Sequence, residues 1–197
     1  RSIVRQDPDI IMVGEIRDKE TAGIAVNSAM TGHLVLSTLH ADDAATTPIR
    51  FMDMGIEPYL VASTVKIVIA QRLARKICME CRASYEVSEE ERARLADYPF
   101  LREAFERAKK MQRETARLYR GKGCSVCGES GYRGRVGIFE VMEITDPIQQ
   151  LILSHASHNE LVKAARAQGM QTLLENGVEN VISGITTLEE LFRVGTE

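Results

Sequence analysis

Two short apolar runs, Ile10–Val13 and Leu34–Leu36, punctuate the first forty residues, and each hands over abruptly to polar side chains. Glu15, Arg17 and Asp18 follow the first run; Ser37, Thr38 and His40 follow the second. Runs of this length without alternation read as strands of a buried parallel sheet. Between them, Asp18 is placed to cap a helix reaching about Met30, with Ala22, Ala25, Val26 and Ala29 on one face and Gly32 at its stop. A strand, a helix and a second strand in that order call for a right-handed crossover and parallel pairing. In open parallel sheets, ligands bind outside the carboxyl ends of the strands. A lone acid after one strand is an ordinary turn residue in most folds. Two such strands, each delivering polar groups at the same end, favour a phosphate-binding edge.

Further along, Asp42 or Asp43 starts a helix ending at Gly55, or the start lies at Thr47 with Pro48 in the first helical position. Pro58 then opens a longer apolar helix through Tyr59, Leu60, Val61, Val65, Val68 and Ile69 to Arg75. Composition shifts at Cys78. Residues 85–118 are dense in charge and read as a solvated helical hairpin, with Ser88 and Glu91 in capping-box spacing, Asp97 and Pro99 between its arms, and Leu101, Phe105 and Ala108 at helical intervals. Gly121, Gly123, Gly128, Gly131 and Gly134 mark tight turns before a strand over Val136–Met142. Three or four short amphipathic helices complete the pattern, over 146–154, 158–168, 172–183 and 187–194, with Asp146 capping Pro147 and Thr187 leading into Leu188-Glu189-Glu190. The expected organisation is residues 1–76 as part of an α/β core, 77–134 as a cysteine-bearing module, and 135–197 as a strand with a helical subdomain.

The four cysteines form two pairs, Cys78-x-x-Cys81 and Cys124-x-x-Cys127. Two such knuckles can each donate two sulfurs to one tetrahedral zinc ion. Residues 82–123 separate them, more than a compact zinc ribbon needs, so the spacer is a folded excursion. A redox pair and two disulfides are the competing readings; a redox motif normally comes once, opening a helix in a βαβ unit, and neither knuckle sits there. Reduced, metal-binding cysteines indicate the cytosol. Arg72, Arg75, Lys76, Arg82, Arg120, Lys122, Arg133 and Arg135 crowd the knuckles in sequence, to balance thiolate charge or to form a basic surface. Net charge is −3 with only 5% aromatic residues and no Trp, which argues against nucleic-acid binding. No apolar run approaches the roughly 20 residues needed to span a bilayer. The chain opens on Arg1 without a Met, which suggests a fragment of a longer protein.

Taken together, DPDIIMVGEIRD, TGHLVLSTLHADDA, AQRLARKIC and the paired CxxC knuckles followed by GYRGRVGIFEVM resemble the ATPases that power type II secretion and type IV pilus extension, the GspE/PilB group. The resemblance runs from Arg5 to Val194. It implies an α/β fold: part of a RecA-like P-loop NTPase core, an inserted zinc-binding helical module and a C-terminal helical bundle. It implies that strand 10–14 is the Walker B strand and Glu15 its catalytic acid. It places His33 and His40 in a histidine box near the nucleotide, with His40 the better placed, because the intervening strand puts the two at opposite ends. By the same resemblance, Arg5 and Arg17 neutralise phosphate charge or pair with acids across a subunit contact, and Cys78, Cys81, Cys124 and Cys127 hold a structural Zn²⁺.

The partners it implies are Mg²⁺ and ATP, further copies in a homo-hexamer, and the inner-membrane platform of the machine, reached from the cytoplasm by peripheral association. These residues contain no G-x-x-x-x-G-K-[ST] loop. In the family that loop lies upstream, so this chain by itself is expected to be inactive. The alternative is a zinc-stabilised interaction module without catalysis.

Overall fold

The computed structural model describes residues 8–89, 93, 98–99, 102–103 and 117–195. These fall into two compact units whose boundaries lie inside two strands and between two helices: one unit holds the described residues to Ala70 with Val141–Met170, the other the described residues of Gln71–Glu140 with those from Gln171 onward. The units are therefore discontinuous in sequence, and the C-terminal helices are divided between them rather than forming one segment.

In the first unit, β1 (Ile10–Ile16) and β2 (Leu34–Leu39) pair in parallel across helix α1 (Lys19–Met30), as the strand–helix–strand pattern requires. The Asp18 carboxylate accepts from the Thr21 amide at 2.8 Å, and Gly32 closes the helix at φ +96°. Ala22, Ala25 and Val26 are buried. One expectation fails. The strands are not buried on both faces among the described residues: Ile11 and Ile16 are covered, while Ile10, Met12, Leu34 and Leu36 are exposed. Strand side chains alternate between faces, so an unbroken apolar run fills both faces but does not say what covers each.

Helix α2 (Thr46–Asp53) begins later than Asp42 or Asp43 and earlier than Thr47. Asp43 still acts at its start, accepting from the Thr46 amide at 2.8 Å and the Thr46 hydroxyl at 2.7 Å. Pro48 is tolerated in the first turn because the leading amides of a helix have no intrahelical acceptor. Helix α3 (Pro58–Thr64) is short, and the expected continuation to Arg75 is instead strand β3 (Ile67–Ile77). Val61, Val65 and Val68 fit helical spacing, but the β-branched cluster Val65, Ile67, Val68, Ile69 prefers extended backbone, and Val65 adopts it (φ −72°, ψ 126°). Helices α4 (Asp146–Leu153) and α5 (His158–Ala167) bury Ile148, Ile152, Leu161 and Ala165 in this unit's core. Thr145, not Asp146, occupies the cap position of α4, with Asp146 and Pro147 its first helical residues.

The second unit carries β4 (Arg82–Glu86) and β5 (Arg117–Gly121), an antiparallel pair running from Arg82↔Gly121 to Glu86↔Arg117. The sequence pattern assigned these ends to a helical hairpin. Of its arms, Glu91, Asp97, Leu101, Phe105 and Ala108 lie outside the described residues. Strand β6 (Tyr132–Glu143) pairs with β3 and is longer than Val136–Met142. Helices α6 (Leu173–Ile182) and α7 (Leu188–Gly195) close a core of Ala74, Leu118, Ile138, Val178, Val181 and Leu191.

Within that core sits a carboxylate. Glu190 is 1% exposed, yet it accepts from the Arg75 amide at 2.9 Å, from Arg75 Nε and Nη2 at 3.0 and 2.8 Å, and from Arg193 Nε and Nη2 at 3.0 and 2.6 Å. Burial pushes the Glu190 carboxyl up, but the Arg193 and Arg75 hydrogen bonds outweigh it and hold it at about 2, below its ordinary 4.5. A depressed folded-state pKa stabilises the fold above the unfolded value and is lost as pH falls toward the folded value. Replacing Glu190 with Gln should therefore cost the most at neutral pH. In urea unfolding, the gap to the parent protein should narrow as pH falls from about 4.5 toward about 2. A gap constant across that window would contradict this account.

Close approach of the chain to itself also demands glycine beside the cysteines. A Cβ on Gly121 would overlap the Gly131 carbonyl, a backbone atom that has no side-chain freedom to move away. Gly121→Ala should cost roughly 1–3 kcal/mol, as overpacking of a tight site does, read as a lower denaturation midpoint.

Candidate functional site

The parallel register decides which side chains meet at the carboxyl end of the sheet. β1 and β2 run in step from Ile10↔Leu34 to Val13↔Ser37, then slip before Ile16↔Leu39. The slip releases Gly14 and Glu15 from regular pairing, and the Thr38 hydroxyl takes up the gap by donating to the Gly14 carbonyl at 2.7 Å. Glu15 emerges there with 40% of its side chain accessible. Arg17 Nε donates to Glu15 Oε2 at 2.6 Å, and His40 Nε2 lies 3.6 Å from the same oxygen. Arg17 and His40 are themselves 69% and 86% exposed, so water screens both pairs and each contributes at most about 1 kcal/mol. Contacts this weak leave the three side chains easy to redirect toward a ligand.

Of the sequence-derived residues, Glu15, Arg17 and His40 come together. His33 does not join them. It stands before β2 with Nδ1 3.1 Å from the Ser28 carbonyl and 3.0 Å from the Thr31 hydroxyl, holding the turn out of α1. Arg5 lies outside the described residues. Sequence reasoning passed over Thr38 as a structural tie and missed His158 altogether. His158 Nε2 sits 2.7 Å from Asp43 Oδ2, linking the start of α5 to the segment just after His40. Burial pushes the Asp43 carboxyl up, but hydrogen bonds from Thr46 and His158 outweigh it and hold it below the usual carboxylate value. Only folding brings positions so far apart in sequence together, and no local motif announces the pair.

The second site is the cysteine cluster. The ligand atoms of Cys78, Cys81, Cys124 and Cys127 all lie within 4.8 Å of one another. Sγ–Sγ distances are 3.9 Å for Cys78–Cys124, 3.9 Å for Cys81–Cys127 and 3.7 Å for Cys124–Cys127. A disulfide needs about 2.05 Å, which these separations exclude. Four sulfurs bound to one tetrahedral ion by bonds of about 2.3 Å stand about 3.8 Å apart, which these separations match. The donor set thus fits a tetrahedral ion such as zinc.

The backbone is arranged to accept negative charge on sulfur: the Cys124 and Gly131 amides each donate to Cys127 Sγ at 3.3 Å. Burial raises the Cys127 thiol, but those amides outweigh it and bring it down to about 6, whereas burial pushes Cys81 up to about 11. Four thiols this close resist ionising together, and a bound cation removes that resistance. The basic residues nearby are partly committed elsewhere. Arg75 stacks on the Tyr132 ring at 4.3 Å, Arg82 on Tyr119 at 5.0 Å and Arg120 on Tyr85 at 5.0 Å.

The chain is 45% identical, over all of its length, to the type II secretion system ATPase E of Vibrio cholerae, covering 36% of that protein. It is 44% identical over 97% of its length to the type IV pilus assembly ATPase PilB of Thermus thermophilus, covering 20% of it. Among solved structures, the pilus retraction motor PilT with bound ADP aligns with a TM-score of 0.64 at 24% identity, across 100% of this chain and 42% of that one. The Legionella pneumophila ATPase DotB aligns at 0.60 and 21% identity, across 98% of this chain and 40% of that one. The two structures show that the α/β fold of this chain is shared with theirs. The chain spans about a third or less of the length of these curated relatives. A family model described as type II/IV secretion system protein matches residues 1–193, and the chain belongs to that family.

Proposed function

We propose that this chain is the acid-bearing part of a hexameric RecA-like ATPase that hydrolyses Mg·ATP to drive assembly of a type II secretion pseudopilus or a type IV pilus. The observation that carries the reading is the exposed Glu15 carboxylate at the carboxyl end of a parallel strand pair, with Arg17 and His40 gathered on it. The full-length relatives named as ATPases of both systems support it.

In this reading Glu15 orients the attacking water and accepts its proton, a task for which a carboxylate must be reachable, ionised and fixed by a strand end. Arg17 and His40 exchange their weak contacts with Glu15 for the negative charge of the terminal phosphate. Thr38 keeps the two strand ends in register. Mg²⁺ bound to the triphosphate supplies Lewis-acid stabilisation of the charge that develops. Arg5 keeps its expected role of neutralising phosphate charge or pairing across the ring. His33, tied to Ser28 and Thr31, acts by holding the turn that launches β2. The four cysteines hold a structural Zn²⁺, since four thiolates leave no coordination position for water.

The P-loop amides and Lys that cradle the phosphates come, in this proposal, from the rest of the longer protein. No described helix is long and apolar enough to cross a membrane. The proposed location is the cytoplasmic face of the inner membrane, by docking to the platform proteins, without nucleic acid as a partner.

A second reading, a zinc-stabilised interaction module without catalysis, is favoured only by the cysteine cluster's separate, well-built geometry. Glu15→Gln in the full-length protein separates the two. The motor should lose about 10²–10⁴-fold in hydrolysis while retaining nucleotide binding, as loss of a proton acceptor implies. An unchanged rate would favour the passive module. Titration calorimetry of the 197-residue chain alone with Mg·ATP should show no micromolar binding, and micromolar binding would overturn the assignment of the phosphate cradle to the remainder of the protein.

A further inference from the structure

The buried carboxylate in α7 and the cysteine cluster are joined by an unbroken circuit of contacts. Arg75, whose amide and guanidinium both donate to Glu190, lies three residues before Cys78 on β3. The Thr186 hydroxyl donates to the Arg75 carbonyl at 2.8 Å, and the Ile77 amide to the Ile185 carbonyl at 2.8 Å, so the approach to the first knuckle is fastened on both sides of Lys76. Cys78 in turn donates its amide to the Gly131 carbonyl at 2.9 Å, while the Gly131 amide donates to Cys127 Sγ at 3.3 Å. The next residue, Tyr132, lies under the Arg75 guanidinium at 4.3 Å, and its hydroxyl is 2.9 Å from Thr187 Oγ1. Thr187 closes the loop by accepting from the Glu190 amide at 3.1 Å. One arm of the circuit fixes the first knuckle through β3, and the other fixes the second through Gly131.

We propose that Glu190 is a positioning residue for the four-thiolate site: by holding Arg75, and through Thr187 the Tyr132 hydroxyl, it sets the separation of the two knuckles and couples metal occupancy to the seating of α7. The inference rests on the reading of the cysteine cluster as a zinc site. The apolar residues Leu188, Leu191 and Phe192 of the same helix pack into the core alongside this circuit. A polar knot so enclosed is costly unless every group is satisfied, and here the satisfied groups lead to the sulfurs. Outer partners of metal ligands act in this way, restricting ligand orientation without touching the ion.

Arg193 provides a matched control. It donates to the same carboxylate and its side chain is 45% exposed, against 50% for Arg75, but it lies on α7 rather than on the strand that leads into Cys78. The test uses the full-length, zinc-loaded protein and reads transfer of zinc to a chromophoric chelator. Arg75→Met should weaken zinc retention by about tenfold or more, the usual scale for loss of an outer partner, while Arg193→Met leaves retention at the parent level. Tyr132→Phe removes one hydroxyl with little risk to folding and should also speed zinc loss. Hydrogen exchange should show the α7 amides losing protection when zinc is removed.

Equal retention in Arg75→Met and Arg193→Met, or unchanged zinc loss in Tyr132→Phe, would overturn the positioning role while leaving the zinc site itself intact. A parent protein that purifies without zinc and takes up none would instead remove the zinc reading, and this inference with it.

Discussion

The parallel pairing of β1 with β2 is the constraint from which the proposed chemistry follows. Because both strands run the same way, their carboxyl ends share one edge of the sheet, and the polar residues after each apolar run are forced together. The slip between Val13 and Ile16 frees the backbone at Gly14, and Thr38 holds the freed carbonyl. Glu15 is therefore fixed at its base and open to solvent at its tip. Antiparallel pairing of the same two strands would place the Glu15 and His40 segments at opposite ends, and no shared site would exist.

The second unit solves a different problem. It brings together two knuckles separated by residues 82–123, which no local turn can do. Antiparallel β4 and β5 carry the chain out and back, with Arg82↔Gly121 closing the pair next to the cysteines. The sulfurs then sit where one cation would relieve the cost of ionising them together, and Glu190 accepts the Arg75 amide and guanidinium on the strand that leads to the first knuckle. Breaking a buried ion pair of this kind by removing one partner commonly costs about 3–5 kcal/mol, whereas exposed pairs such as Glu15–Arg17 cost little. The contrast suits the proposed roles, one a fixed support and the other a contact exchanged for phosphate.

Much of this was legible in the sequence where local rules and tertiary demands agree. Asp18 at a helix start, Gly32 at its end and Thr187 before its helix each mark a boundary by capping chemistry that acts within a few residues. Legibility failed where one pattern serves two structures. Val61, Val65 and Val68 satisfy helical spacing, but the β-branched run from Val65 and the pairing of β3 with β6 together turn the chain extended after Thr64. The strands β4 and β5 were hidden because their partners lie on opposite sides of a long charged segment. Glu190 follows Glu189 in an ordinary-looking acidic pair, yet Glu189 faces solvent and Glu190 is enclosed, a difference set by Arg75 on a distant strand. His158 escaped notice for the same reason, since its partner Asp43 belongs to another part of the chain.

The most direct test of the central claim is a crystal structure of the full-length protein with Mg²⁺ and a non-hydrolysable ATP analogue. The account places the Glu15 carboxylate toward the terminal phosphate, within one water of it, with Arg17 or His40 moved off Glu15 onto phosphate oxygen. A nucleotide bound elsewhere, with Glu15 still paired to Arg17 and facing away from it, would contradict the account.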